Sequence, residues 1–417
     1  MKAAALLPFA YAGLCSTQEF WTPAIMPAVS PPLPCRLRVC GALADVPASA
    51  WDACANPPDC AYNPFISHAF LKACETSGSV GANAGWQSAH VLLEDAGGAL
   101  LACAPAYLKS HSQGEYVFDH GFAEALERAG GRYYPKLQVA APFTPVTGRR
   151  LLTRPGPQEE AARAALIGGL RALRQQTGAS SIHVTFPPSE EWEALTAAGF
   201  LPRTGEQFHF FNERYADFEA FLGALASRKR KAIRRERKAA LEDNGVSIEW
   251  VTGADLTEGH WDAFFRFYMD TGNRKWGRPY LTRAFFSQVG ASMADRILLV
   301  MAKRAGRYIA GALNFIGGEA LYGRNWGAVE EHPFLHFEVC YYQAIDFAIA
   351  RKLSRVEAGA QGEHKLARGY RAVPTYSAHE FANPGLARAV AEYLERERAA
   401  IAADIEAYEA LAPFRRG

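Results

Sequence analysis

Glu363, His364 and Lys365 stand directly after a short alternating segment, in which Val356, Ala358 and Ala360 interleave with Glu357, Gly359 and Gln361. The alternation predicts a strand, and Gly362 opens a loop dense in titratable groups. Open α/β sheets place ligands beyond the carboxyl ends of their strands. Amide formation from an activated ester needs a base for the amine proton, donors for the oxyanion and alignment of two substrates. Glu363 and His364 are the best candidates for the base, His364 because an imidazole titrates near the useful range. Lys365 and Arg368 would be positioning charges for a phosphate or carboxylate. The plainer reading is that Glu363 and Lys365 pair on the surface while Arg368 anchors the loop. Ionisable groups clustered after a strand favour a site.

Two more candidates lie on the segment from His336 to Arg351, whose pattern predicts a helix apolar on most sides. Glu338 falls beside Tyr341, Tyr342 and Ile345, and a carboxylate on an apolar face must be paired, hydrogen-bonded or protonated. A Glu in the first turns also suits the helix dipole, so a structural role competes evenly with a catalytic one. His336, at the helix start, is the weaker candidate and reads equally as a cap. In the first half, Lys109, His111, Glu115, Asp119 and His120 fall within one short segment. They could face a cleft at the domain junction or form a polar loop. Their spacing matches no metal-ligand motif, and no metal is expected. No G-x-S-x-G motif occurs, which argues against a serine nucleophile.

The elements that must position these groups follow from the same pattern. Ile309–Ile316 and Ala320–Tyr322 read as a hairpin across Gly317-Gly318, followed by a loop, the helix and the strand. A second hairpin, His90–Leu93 with Ala99–Leu108, precedes an apolar strand Leu137–Thr147 broken by Pro142 and Pro145. A helix (Glu159–Gln176) and a strand (Ser181–Phe186) come next. Residues 90–105 can be laid without gaps over 298–313, with a helix before and a helix and strand after each hairpin. That repeated order suggests two copies of one α/β unit. The boundary is expected near Tyr215.

The chain of 417 residues is 49% hydrophobic and 21% charged, with a formal net charge of +2. Those values fit two soluble globular domains and argue against wholesale nucleic-acid binding. Eight cysteines in this length do not make a disulfide scaffold, so a reducing compartment is expected. Residues 1–35 weakly imitate a signal peptide and then turn Pro-rich; a disordered or non-native extension is the expectation. Arg228 to Lys238 holds eight basic residues and one acid. Arg228, Lys231 and Arg235 share one face of the predicted helix, residues 228–241, and could bind phosphates of a donor, touch anionic lipid or simply be solvated.

Helix, antiparallel hairpin, loop, helix and strand in this order resemble the GNAT acyltransferase fold. The stretches NPFISHAFL, YLKSHSQGEYVFDHG, RYYPKLQVAAPFTPVTG, SRKRKAIRRER, KWGRPYLT, HFEVCYYQAIDFAI and EAGAQGEHKLARGY resemble the FemAB-like family of peptidoglycan biosynthesis or recognition. The resemblance implies an α/β (α+β) fold of two tandem GNAT-like domains, residues 36–214 and 215–417, each a mixed twisted sheet flanked by helices. It also implies acyl transfer to an amine. Relatives of this type use aminoacyl-tRNA, and bacterial ceramide synthases, similar proteins, use a fatty acyl thioester. Arg324-Asn325-Trp326-Gly327-Ala328-Val329 stands where many GNAT enzymes hold the CoA pyrophosphate in an R/Q-x-x-G-x-G/A loop. Val329 replaces a small residue there, which puts acetyl-CoA in doubt. Arg324 and Trp326 are expected to contact substrate.

The leading expectation is a cytoplasmic N-acyltransferase at the inner face of the membrane, joining an acyl thioester such as acyl-CoA to an amine of a lipid or cell-envelope precursor. No bound cofactor and no DNA partner are expected. The alternatives are an aminoacyl-tRNA-dependent transferase and a non-catalytic peptidoglycan-recognition module.

Overall fold

A computed structural model describes residues 6–7, 35–275, 279–359 and 362–415; most of the N-terminal extension therefore lies outside the described residues. The first-half strands are β1 (Leu6–Leu7), β2 (Cys35–Cys40), β3 (Trp86–Ser88), β4 (His90–Asp95), β5 (Leu100–Ala104), β6 (Ala106–Lys109), β7 (Lys136–Val139), β8 (Leu152–Thr153), β9 (Ser181–Thr185) and β10 (Leu201–Phe211). Those of the second half are β11 (Val246–Thr252), β12 (Ile297–Arg304), β13 (Arg307–Ile316), β14 (Ala320–Ala328), β15 (Arg355–Glu357) and β16 (Arg371–Phe381).

Both expected hairpins form, β4 with β5 and β13 with β14. In each half a crossover helix then returns the chain to a parallel partner. Glu159–Thr177 links β7 to β9, and residues 335–350 link β14 to β15. Each parallel ladder has only three register pairs, 137–139 with 182–184 and 320–322 with 355–357. The two units are therefore alike in their turning points as well as in their order. The apolar run from Leu137 does not continue to Thr147 as a strand; it ends at Val139, ahead of Pro142 and Pro145.

The expected division at Tyr215 does not separate two sheets. β10 precedes it, yet lies between β15 and β16; β16 in turn lies between β10 and β9. Each half thus lends a strand to the other within an eleven-stranded sheet of order β11-β12-β13-β14-β15-β10-β16-β9-β7-β6-β3, while β1-β2-β4-β5-β8 form a separate five-stranded sheet of first-half strands alone. The seam is the antiparallel β10–β16 ladder, regular from Leu201↔His379 to His209↔Arg371. A shared aromatic core reinforces it. Phe65 and Phe70 of the first half meet Phe315, Tyr322 and Phe285 of the second at ring-centroid distances of 5.1–5.7 Å.

One side of the seam is polar and buried. His183 and His379, paired across β9 and β16, bring their Nδ1 atoms to 2.7 Å. Ser181 and Ser377 bond the respective Nε2 atoms at 2.7 and 2.9 Å. Tyr133 donates to Asp119 at 2.7 Å, and Lys136 donates to Asp119, Glu115 and Ser112 at 2.5–2.8 Å. Burial, then the Lys136 charge, pushes His183 down to about 3. Burial, then His183, holds His379 well below its ordinary value. Burial raises the Asp119 carboxyl, but Lys136 and His183 outweigh it and hold it below the usual range.

These shifts carry a sign. Below about pH 6.5 the unfolded chain protonates imidazoles that the folded chain keeps neutral, so folding stability falls as pH falls toward 3. Asp119, depressed, adds loss in the same direction at the acid end. We expect the melting temperature to drop between pH 7 and pH 5, with a slope of up to about 1.4 kcal/mol per pH unit for each histidine. His379→Gln should flatten that slope while lowering stability at pH 7. A melting temperature that ignores pH over this range, or a slope unchanged in His379→Gln, contradicts the assignment.

Candidate active site

β14 follows β15 for three residues only, then stays with β13 as far as Ala328. The β13–β14 register shifts between Leu313 and Asn314, where the strand bends. From Gly323 onward the edge of β14 that faced β15 has no strand partner among the described residues. The resulting splay opens at the carboxyl ends of two parallel strands and holds a cavity of about 120 Å³. Its walls include Asn314, Arg324, Trp326, His336, Cys340 and Tyr341.

Residues 335–350 floor this cavity. The helix carries a π turn, Glu338–Tyr342, a departure that often marks functional sites. Phe334, at φ 61°, turns the chain into it. The loop from β15 crosses the mouth as a 3₁₀ helix, Glu363–Arg368. Gly362, at φ 113°, permits this entry, since a Cβ there would meet the His364 imidazole at 2.3 Å. His364 is exposed and its Nε2 lies 3.0 Å from the Tyr341 hydroxyl. Its ring packs against Phe337 and His336. Partial burial, then Arg368 and Lys365, lowers its pKa, so the imidazole is neutral at pH 7. Lys365 is buried, donates from Nζ to Gly359 O at 2.9 Å, and is pushed down to about 8 by burial. The side chain of Glu363 lies outside the described residues.

Several expected roles move. Arg368 does anchor the loop: it donates to His364 O at 2.7 Å and to Glu236 at 2.9 Å, with its guanidinium 3.5 Å over the Phe337 ring. It is engaged on the protein rather than offered to a ligand. The segment Arg324–Ala328 is strand, not a phosphate loop. Gly327 is explained by packing, because a Cβ there would lie 2.2 Å from the Phe267 carbonyl oxygen. The chain that does precede the helix, residues 329–334, carries Glu330 and Glu331, and Glu330 bonds Arg304 and His332. Acid stands where a pyrophosphate would need amides and positive charge. Arg324 donates to Phe143 O at 2.5 Å, bracing the first half against the cavity wall.

Glu338 is fully buried and paired. Arg237 reaches it at 2.9 and 3.1 Å, and Gln343 donates to it at 2.6 Å. Arg237 also holds Asp346 at 2.8 Å. Burial pushes the Glu338 carboxyl up, and Arg237 and Gln343 oppose this. The carboxylate clamps the basic helix, Ser227–Ala240, to the helix under the cavity. The first-half cluster is likewise structural. Glu115 and Asp119 pair with Lys136 inside the fold, and Lys109 pairs with Glu115 while its Nζ sits 3.5 Å over the Trp86 ring. His111 instead bonds Ala84 O at 2.9 Å, and His120 is exposed, stacked on Phe118. Arg228, Lys231 and Arg235 are exposed on the far side of the basic helix from its buried Ile233. Tyr341, Cys340 and Asn314 join the site unforeseen; Tyr341, five residues after His336 and about 140° away on a regular α-helix, comes beside it through the π turn.

Glu338→Ala should cost about 3 kcal/mol, the scale of an unpaired buried charge, read as a lowered urea midpoint. Glu338→Gln should cost less, and the folded variant should keep turnover within about tenfold of wild type. Normal stability with abolished turnover would return the carboxylate to the chemistry.

The sequence profile of the FemAB-like family, described as peptidoglycan biosynthesis/recognition, matches residues 42–416. No curated protein matches the chain. Among solved structures, FemX is similar with a TM-score of 0.51 at 11% identity, over 82% of this chain and 97% of FemX. A conserved protein of unknown function from Bacteroides thetaiotaomicron gives 0.50 at 12% identity, over 82% of this chain and 98% of its own. A tandem GNAT protein from the clavulanic acid biosynthesis pathway gives 0.44 at 12% identity, over 84% and 99%. Identities this low speak to fold alone. The family profile spans almost every described residue, and the chain belongs to the FemAB-like family of peptidoglycan biosynthesis/recognition proteins.

Proposed function

We propose that the chain is a transferase that joins an activated acyl or aminoacyl group to an amine at the β14/β15 splay. The observation that carries this reading is the placement of a neutral imidazole, His364, on the loop crossing the mouth of that splay, beside an unpaired strand edge. The amine nitrogen attacks the ester or thioester carbonyl carbon, and its proton passes to His364. The tetrahedral intermediate then expels the thiol or alcohol, which leaves with a proton. The tautomer that donates Nε2–H to Tyr341 leaves Nδ1 as the acceptor. The β14 edge from Gly323 to Gly327, which has no strand partner among the described residues, can bond an extended donor and the developing oxyanion, while Ala328 N–H is already given to Thr271. Lys365, held on Gly359 O, shapes the mouth from below.

The donor is the less constrained partner. The acidic chain before the helix disfavours a CoA pyrophosphate there, which supports a thioester bound in another way. The same observation favours a second reading, in which the donor is the ester of an aminoacyl-tRNA. The acceptor would be an amine of a lipid or cell-envelope precursor, in keeping with family membership. A non-catalytic recognition module would have no use for a base at the mouth.

The test is incubation with long-chain acyl-CoA and a panel of amines, followed by free thiol, with aminoacyl-tRNA as a parallel donor. His364→Ala should lower kcat by about 100-fold or more, the scale of general-base catalysis. Lys365→Met should act mainly through KM. Because His364 titrates below its ordinary 6.5, kcat/KM should rise on the acid side and be level between pH 7 and pH 8. An acid limb centred near 8 that disappears in Lys365→Met would hand the proton to Lys365 instead. No product with either donor, together with retained binding to cell-wall fragments, would leave the recognition module.

A further inference from the structure

The basic helix has two faces with opposite fates. Inward, Ile233 and Ala240 are buried. Glu236 bonds Arg368 and Tyr342, and Arg237 is held by Glu338 and Asp346. Arg234 is paired with Glu219. Outward, Arg228, Lys231, Arg235 and Lys238 are all exposed, and none has an ion-pair or hydrogen-bond partner among the described residues. At 100° per residue these four fall within an arc of about 80° and form a stripe about 15 Å long. The helix is held in place by its inner pairs, so the stripe is a fixed array rather than a floppy tail.

The segments that adjoin both ends of the helix carry exposed apolar side chains. At the start, the C-terminal segment runs back against the helix: Ala226 N donates to Pro413 O at 2.9 Å and Arg415 N to Ala224 O at 3.0 Å. That segment follows Leu411, which is 65% exposed. Beyond the helix end, Asn244 lies within hydrogen-bonding distance of His332, at 3.3 Å, in the loop that carries exposed Val329 and Phe334. Eight of the chain's 45 Lys and Arg residues fall between Arg228 and Lys238, although the formal net charge of the whole is only +2.

We propose that this face docks the protein on the surface of an anionic lipid bilayer. A row of cations edged by aliphatic and aromatic side chains suits lipid headgroups above an acyl boundary, whereas a polynucleotide would call for a broader basic field. Among the described residues no helix is long and apolar enough to cross a membrane, so the contact is peripheral. The inner face of the same helix holds Arg368 and the helix under the cavity. Docking would therefore bring the mouth of the splay close to the lipid surface.

The experiment is co-sedimentation of the full chain with vesicles of phosphatidylcholine alone and with phosphatidylglycerol at three parts in ten. A tRNA gel-shift and a competition arm run beside it. Expected is binding to the anionic vesicles only, weakened at high salt, and reduced by about tenfold or more in the fourfold variant Arg228→Gln, Lys231→Gln, Arg235→Gln, Lys238→Gln. That variant should melt at the wild-type temperature. A control of equal charge loss elsewhere, Lys72→Gln, Arg128→Gln, Arg132→Gln, Arg388→Gln, should still bind. No binding to anionic vesicles, equal loss in both fourfold variants, or binding of tRNA through this helix in place of vesicles would each overturn the proposal. The readout needs no substrate, so it stands or falls apart from the transferase reading.

Discussion

The β10–β16 ladder is the constraint on which the rest depends. Nine register pairs tie a strand from before the middle of the chain to one near its end. Because β10 also borders β15, and β16 also borders β9, the eleven-stranded sheet is finished by neither half alone. Unzipping this ladder would expose two edges at once, and with them unpaired amides and the buried imidazoles. The ladder also fixes the site at long range. β15 takes its place from β10, and the loop that carries His364 runs from the end of β15 to the start of β16. Both ends of that loop are thus held on one strand, β10, by its two antiparallel ladders.

The splay gains its shape from a second, local conflict. β14 is held by β13 along its whole length, whereas β15 ends after three pairs. The strand edge left over cannot be covered by the helix below, whose π turn commits Glu338, Tyr341 and Tyr342 to inward contacts. Arg237 and Glu236 then lock that helix and the 363–368 loop to the basic helix from outside. The charges nearest the cavity are therefore mostly occupied. What stays available is the imidazole of His364 and the β14 backbone. On the reading proposed above, a site built this way would position an extended donor by main-chain bonds and leave little fixed charge to repel an amine.

The legible parts of the chain were those whose burial is apolar. The hairpins around Gly97-Gly98 and Gly317-Gly318 and both crossover helices follow directly from periodicity. β16 was missed because its sequence, RAVPTYSAHEF, hides polar groups: Thr375, Ser377 and His379 are all buried against polar partners. β10 is legible only as a weak alternation over Phe208 to Asn212, because residues 201–206 are half-exposed and carry no apolar periodicity. The seam thus lies in the segments least visible to a hydrophobic pattern. Glu338 was correctly marked as a carboxylate on an apolar face, but its partner Arg237 stands 101 residues away, beyond any local reading. Lys136, the centre of the first-half network, sat unnoticed in an apolar strand. The loop of Glu363 to Arg368 was found because titratable residues after a strand remain readable whatever the tertiary structure does.

The central claim is that the donor lies along the free edge of β14, with its carbonyl at His364. Hydrogen–deuterium exchange tests this directly, using a non-hydrolysable thioether analogue of a long-chain acyl-CoA and, separately, a non-hydrolysable aminoacyl-RNA analogue. Binding of either should slow amide exchange in residues 323–328 and in the 362–368 loop, with little change in β10 and β16, which the seam already protects. Protection by both analogues confined to other surfaces, with the β14 edge exchanging as freely as in the unbound protein, would contradict the account.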